Sequence, residues 1–200
     1  MTKVSFKRMR IGIHSDVNTV QAKDIFVIEG KENEGATVNA EITGLASEPV
    51  KVYGSDIAYY VMQKGTGDVA VNLGILDMPS EVHNKIAGYK TTEEGFSLIG
   101  EDTEPPYCSI ILESSDLRGN PVLLGFFKGK FTYSETSLNT KTGEQTEPEP
   151  DGYTFNAIAS DLDGERKGNT VVTYFATSKD DANIAAFKKF VIPSNVLPEG

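Results

Sequence analysis

The run from 69 to 75 constrains the fold most, because apolar residues alternate along it with small or polar ones. The apolar set is Val69, Val71, Leu73 and Ile75. Successive side chains of a β-strand point to opposite faces, so the pattern predicts a strand with one buried and one exposed face. The run from 37 to 42 repeats the pattern and directs three apolar side chains inwards: Val38, Ala40 and Ile42. Half-exposed strands of this kind are typical of antiparallel sheets.

The run from 57 to 62 is different, because it is apolar on both faces. The two faces consist of Ile57, Tyr59 and Val61 and of Ala58, Tyr60 and Met62. A strand with two apolar faces needs an apolar neighbour on each side. We expect one neighbour to belong to this domain, and the second to be either another sheet or another subunit.

The rest of the chain predicts a mainly β fold, a β-sandwich or barrel of about ten short strands with one flanking short helix. The longest strands, 107–113 and 122–133, lie on either side of a turn at 119–121 and should pair as a hairpin. The pattern of the second strand places both its glycines and its large residues on one face: Leu123, Gly125, Phe127, Gly129 and Phe131. The helix should begin at Pro79 or Ser80 and end before Gly88. A brief helix near Ser178 should precede a last strand, 187–192, that closes the sheet.

The 200 residues are expected to form a single domain with extended ends. The segment 1–13 is basic and alternating, which suits either an edge strand or an arm on a neighbouring subunit, and a frayed terminus has the same appearance. We assign it as an N-terminal arm, followed by the β-sandwich over 14–192 and an extended C-terminal tail over 193–200. The segment 140–152 is acidic and broken by Pro148 and Pro150, so it should form an exposed loop.

Composition argues against several classes of function. The net charge is −10, and phosphate contacts require Lys and Arg, so specific nucleic-acid binding is not expected. The single cysteine, Cys108, lies in an apolar run, which indicates a small core residue in a reducing compartment. No run approaches the roughly eighteen apolar residues of a membrane span, and the N-terminus lacks a signal-peptide pattern. Neither secretion nor a membrane partner is therefore expected.

Residues that could carry chemistry are sparse. His14 and His83 have no Cys, Asp or second His at ligand spacing, so we interpret both as surface residues. The segment 161–165 resembles the start of a calcium loop but lacks its later ligands, so a hairpin turn is the better interpretation. The carboxylates in 101–104 follow one another along a loop, whereas general acid–base catalysis needs two that face each other. We therefore expect no enzymatic activity, no cofactor and no metal.

Several stretches taken in order resemble a known family. They are VKVYGSD followed by YY, then GTGDVAVNLGILDMP, GEDTEPPY and GNPVLLGFFKGKF. This series is similar to the phi13-type major tail proteins, which are the tail tube subunits of long-tailed bacteriophages of Gram-positive hosts. The resemblance implies a β-sandwich or barrel that assembles into stacked hexameric rings, and whose hollow centre conducts DNA during ejection into the host.

The resemblance also implies partners and a location. The partners would be further copies of the chain and other tail proteins, such as the tape measure, tail terminator and distal tail proteins. DNA would pass through the lumen without specific binding, and the virion tail would be assembled in the host cytoplasm. The alternative is a monomeric β-sandwich that binds host-surface carbohydrate, although such modules present aromatic rings at loop tips, and here the rings fall mostly on strands.

The two-faced run and the resemblance together select candidate assembly residues. Contacts between subunits are expected from Ile57, Tyr59, Tyr60, Met62, Gly65, Thr66, Gly67 and Asp68. The lumen is expected to be net negative, because DNA slides past carboxylates but adheres to clustered Lys and Arg. Its candidate lining residues lie on or beside the half-exposed strands: Glu41, Asp68 and Asn72. Lys128 and Lys130 would weaken the effect if they reached the same wall.

Overall fold

A computed structural model describes residues 2–15, 19–136, 140 and 148–193. The strands are β1 Ser5–His14, β2 Val20–Ile28, β3 Ala36–Thr43, β4 Val50–Gly54, β5 Ile57–Met62, β6 Ala70–Leu76, β7 Lys90–Thr91, β8 Ser97–Leu98, β9 Cys108–Ser115, β10 Pro121–Thr132, β11 Asp151–Ile158 and β12 Val171–Phe175. The helices are α1 Ser80–Ala87 and α2 Asn183–Val191. The mainly β fold class predicted from the sequence is confirmed.

Eight of the strands form one antiparallel sheet in the order β2-β1-β9-β10-β11-β6-β3, with β12 paired to the first half of β10. The sheet curls around its main core, so that Thr37 Oγ1 on β3 donates a hydrogen bond to the Phe6 carbonyl on β1 at 3.1 Å. Within the described residues β2 and β3 stay at opposite ends of the strand order and do not pair. The sheet is therefore open, and the closed-barrel form of the prediction is wrong.

The half-exposed strands follow their sequence pattern, with one exception. The apolar set of 69–75 is buried as predicted, and Ala40 and Ile42 pack against the same core. Val38 is exposed rather than buried, because Thr37 pairs with Ile75 while Asn39 pairs with Gly74. The register shift leaves Val38 without an opposite residue, as in a β-bulge, and the side chain is released from the core face.

The predicted central hairpin forms between β9 and β10, but a second register shift divides β10 into two halves. The shift lies between Phe126 and Gly129. A Cβ at Gly125 would meet Val191 of α2, whereas a Cβ at Gly129 would lie 2.5 Å from Cζ of Phe155 in the main core. The two glycines therefore face opposite sides of the sheet, and the prediction of a shared face is wrong. One extra residue at a bulge inverts the alternation of every residue beyond it.

The two helices cover different sides of the sheet. The first one begins and ends where the sequence predicts, with Gly88 left-handed at its C-terminus (φ 74°), and Val82 and Ile86 enter the main core. The predicted closing strand 187–192 is wrong, because most of it belongs to α2. Its apolar residues Phe187 and Val191 are four apart, which is helical spacing. They pack with Leu123 and Phe127 on the outer face of the sheet as a second core.

The N-terminal segment is a strand of the sheet. The predicted N-terminal arm 1–13 supplies most of β1, an interior strand between β2 and β9. Met9 and Ile11 are fully buried there, so their alternation reflects a core strand rather than an arm. The predicted tail beyond Pro193 and most of the acidic loop, 141–147, lie outside the described residues.

Candidate assembly surfaces

The β4–β5 hairpin is an apolar projection that the rest of the described chain leaves uncovered. Every residue of both strands is exposed, including Tyr59 at 80% and Tyr60 at 56%. Gly54 pairs directly with Ile57, so the turn has two residues, Ser55 and Asp56, both with positive φ. This is the twist-compatible geometry of a tight hairpin. Both apolar faces of 57–62 are thus uncovered within the described chain. The neighbour expected within this domain is absent there, as is the second one, and that part of the prediction is wrong.

The hairpin is joined to the sheet by a close backbone contact. The N–H of Gly67 donates to the carbonyl of Gly44 at 2.9 Å, and the N–H of Ser47 donates to the carbonyl of Gly65 at 3.2 Å. A Cβ at Gly44 would overlap the Asp68 carbonyl, and Gly44 has φ 72°, so only glycine fits there. The predicted interface turn 65–68 thus forms this joint, which continues the β3–β6 ladder into the hairpin.

A polar face runs across the outer side of β3, β6, β11 and the second half of β10. Strand register places Glu41, Asn72, Thr154 and Thr132 side by side in one row. Thr154 Oγ1 donates to Asn72 Oδ1 at 3.0 Å, and Asn156 donates to Thr132 Oγ1 at 3.1 Å. Two of the residues predicted to line a lumen, Glu41 and Asn72, therefore lie together, while Asp68 lies nearby at the joint. We call this surface the polar face.

Two lysines share the polar face, because the bulge in β10 turns them away from the core. Lys128 Nζ lies 2.8 Å from Asp161 Oδ2, and Lys130 Nζ lies 2.7 Å from Glu104 Oε1. Both ammonium groups also lie 4.7 Å from the centroid of the Tyr107 ring. The ion pair with Lys130 holds the pKa of the Glu104 carboxyl below its usual range. Each lysine is therefore partnered within the chain.

The β7–β8 hairpin is a second exposed apolar projection, and the sequence pattern does not predict its exposure. The short β7–β8 hairpin and the residue after it expose Phe96, Leu98 and Ile99, each by more than half. The sequence predicts a short strand over 96–99, and its neighbours Gly95 and Gly100 are the signal that this strand stands at a turn. A run of four residues, three of them apolar, is too short to indicate by pattern whether it is buried.

The residues considered for chemistry have structural environments instead. His83 is half-buried, its Nδ1 lies 2.8 Å from the Tyr153 hydroxyl, and burial lowers its pKa, so its interpretation as a surface residue is wrong. His14 Nε2 lies 2.6 Å from Ser109 Oγ at a partly buried site. Cys108 is fully buried, as predicted, and burial raises the pKa of its thiol to about 12. Among the described residues no group of three His, Cys, Asp or Glu side chains could hold a metal ion.

The fold and its surfaces define a mainly β protein with exposed apolar projections and a polar sheet face. A scan against family models then matches residues 12–196 to the phage tail tube protein family, and the chain belongs to that family. No match was found among curated proteins or among solved structures. The match is to the tail tube family as a whole, and the phi13-type subdivision stays a prediction.

No helix in the described part of the chain combines the length and apolar character needed to cross a membrane. Membership of the tail tube family places the protein in the phage tail and gives it a structural role.

Proposed function

We propose that this chain is the major tail tube subunit of its phage, and that its copies form stacked hexameric rings around a conduit for DNA ejection. The observation that carries the proposal is the β4–β5 hairpin, whose apolar side chains are exposed on both faces. Burying one such large side chain stabilises a contact by about 1.5–3 kcal/mol. A neighbouring subunit that covers the hairpin would supply the partner that a two-faced apolar strand requires.

The polar face is proposed as the inner wall of the conduit. Four strands contribute to it, and the last of them, β3, pairs only with β6 among the described strands. The outer edge of β3 therefore offers backbone hydrogen-bonding groups to a strand of the next subunit. Repeated around a ring, this pairing would join the sheets into one continuous wall with polar side chains directed at the DNA.

The inner wall is further proposed to be net negative. Glu41 lies on the polar face and Asp68 at its margin, and a ring repeats these charges in every subunit. A structure of the assembled tube tests this directly by counting inner-wall residues by sign. A wall in which Lys and Arg outnumber Asp and Glu would contradict it and leave the charge of −10 as a property of the outer surface.

The tube would be assembled in the host cytoplasm and would meet other tail proteins at its ends and within its lumen. The tape measure, tail terminator and distal tail proteins are the proposed partners. Their contacts would involve the two ring faces and the polar face.

The proposed docking of the hairpin is tested by Tyr60→Asp. A carboxylate at a buried apolar contact, together with the loss of the ring, costs about 2 kcal/mol or more, which is roughly a 30-fold rise in the concentration needed for assembly. Electron microscopy and sedimentation of the purified protein measure the assembly, and circular dichroism checks the fold.

The matched control is Leu117→Asp, which places the same charge at another exposed apolar residue, on the β9–β10 turn. Tubes should form from the Leu117 variant and not from the folded Tyr60 variant at the same concentration. Normal tubes from Tyr60→Asp would remove the hairpin from the interface. A monomer of the unaltered chain that binds carbohydrate at all concentrations would favour the alternative function.

A further inference from the structure

Lys128 and Lys130 are the basic residues that the strand register places on the polar face, and both lie below the surface formed by their partners. Only 12% of the Lys128 side chain and 30% of the Lys130 side chain are exposed. Their carboxylate partners are much more accessible, with Asp161 at 58% and Glu104 at 81%. Anything that approaches this part of the face therefore meets the carboxylates first.

The ring of Tyr107 holds the two lysines in this lower layer. Each ammonium group lies 4.7 Å from the ring centroid, within the range of a cation–π contact. The aliphatic stems cover the sheet while the charged ends remain between the ring and a carboxylate. Either lysine would have to give up both contacts to reach a ligand above the face.

Glu104 is presented by an anchored segment. Pro105 and Pro106 follow it and restrict its backbone. Its carbonyl lies so close to Gly88 at the end of α1 that a Cβ at Gly88 would overlap it. The carboxylate therefore stands over Lys130 on a backbone held by the end of a helix.

Asp161 is anchored in a similar way. It follows Ser160, whose N–H donates to the Asn169 carbonyl and whose carbonyl accepts from Gly168, both at 2.9 Å. Ser160 is also buried. Both carboxylates thus come from loops outside the strands of the polar face, and each reaches back over one lysine.

We propose that Glu104 and Asp161 mask Lys128 and Lys130, and so keep the polar face from adhering to double-stranded DNA. The significance of the masking for DNA passage rests on the proposed function, in which this face lines the conduit. The masking itself is a property of the single subunit. A lysine that already pairs with a carboxylate of its own chain gains little binding free energy from a DNA phosphate. The phosphate only replaces the carboxylate as its partner, and this exchange releases no net counterion.

The test is the double variant Glu104→Gln, Asp161→Asn in the full-length, unassembled subunit. The probe is a fluorescent DNA duplex of about 20 base pairs, and anisotropy measures its binding at several salt concentrations. Two unmasked lysines predict a slope of about −1.8 in log K against log salt, so binding should weaken about 10-fold between 50 and 200 mM salt. The unaltered subunit should show no comparable binding.

Two controls separate masking from total charge. Glu93→Gln, Glu94→Gln removes the same two negative charges from the exposed turn before Gly95 and should leave DNA binding as in the unaltered chain. Adding Lys128→Met and Lys130→Met to the unmasked variant should abolish the acquired binding. If the unmasked variant does not fold, the single variants Glu104→Gln and Asp161→Asn should each show about half the salt slope.

Absence of DNA binding by a folded unmasked variant would overturn the proposal, and so would equal binding by the Glu93, Glu94 control. These outcomes do not depend on assembly. If masking is confirmed but an assembled tube has the polar face on its outside, the proposal that this face lines the conduit is refuted. The proposal that the carboxylates mask the lysines is then unaffected.

Discussion

The contact between Gly125 on β10 and Val191 on α2 permits a quantitative test of how the helix packs. A Cβ at Gly125 would overlap Cγ2 of Val191 and lie 3.0 Å from its Cγ1. Gly125 does not have positive φ, so Ala at this position carries no backbone strain of the left-handed kind. Gly125→Ala therefore inserts one methyl group into a filled space. The resulting loss in the free energy of unfolding measures how closely α2 packs against the sheet.

The expected losses of stability are estimated from the number of methyl groups that each substitution adds or removes. Overpacking by Gly125→Ala should destabilise the subunit by about 2 kcal/mol. Val191 is 1% exposed, and Val191→Ala removes two methyl groups and leaves a cavity, which should also cost about 2 kcal/mol. In the double variant the new methyl group occupies part of the space vacated at Val191. We expect a total loss of about 2 kcal/mol instead of about 4, a coupling of about 2 kcal/mol.

Urea unfolding of the unassembled subunit, followed by circular dichroism, measures all four free energies. Gly152→Ala is the matched control, because Gly152 lies on β11 and a Cβ there would meet nothing within 4 Å. It should change the free energy of unfolding by less than about 0.5 kcal/mol. Losses at Gly125 and Val191 that simply add would refute the contact.

Two further predictions concern pH. Asp181 accepts hydrogen bonds from the Tyr174 hydroxyl and from the N–H groups of Asn183 and Thr177, which lower its pKa to about 2. The stabilising effect of the ionised carboxylate should be present above pH 4 and lost as pH falls towards 2. The melting temperatures of the unaltered chain and of Asp181→Asn should therefore differ at pH 6 and converge near pH 2. Burial lowers the pKa of His83, against the opposing effect of Asp151, so stability should be fully present above the unfolded value of about 6.5 and fall as pH drops below it. In urea titrations between pH 7.5 and 5, His83→Asn should lack this fall, and an unchanged pH profile would show that His83 does not titrate with unfolding.

Local features of the structure were readable from the sequence. The helix ended by Gly88 and the buried face of 69–75 depend on residues within a few positions of one another. Turn chemistry, helix termination and strand alternation operate at that range. The two apolar faces of 57–62 are visible in the sequence for the same reason, and the subunit interface inferred from them stays a prediction.

Features that depend on pairing across the sheet were not readable. The bulges at Val38 and between Phe126 and Gly129 arise from the register of two strands. The first releases Val38 from the core face, and the second reverses which side chains of β10 enter the core. The register shift in β10 also puts Lys128 and Lys130 on the polar face, where Asp161 and Glu104 from two distant loops contact them.

The sequence alone indicates a β-rich protein of the tail tube type with one short strand that is apolar on both faces. Its period-2 patterns, its turn residues and its resemblance to tail tube proteins were sufficient for that. Only the tertiary structure shows that most of 187–192 is helical, that the strand beginning at Ser5 lies in the interior of the sheet, and which charges share a face. Short apolar runs satisfy strand and helix spacing equally well, so the choice between them is made by the surface available for packing.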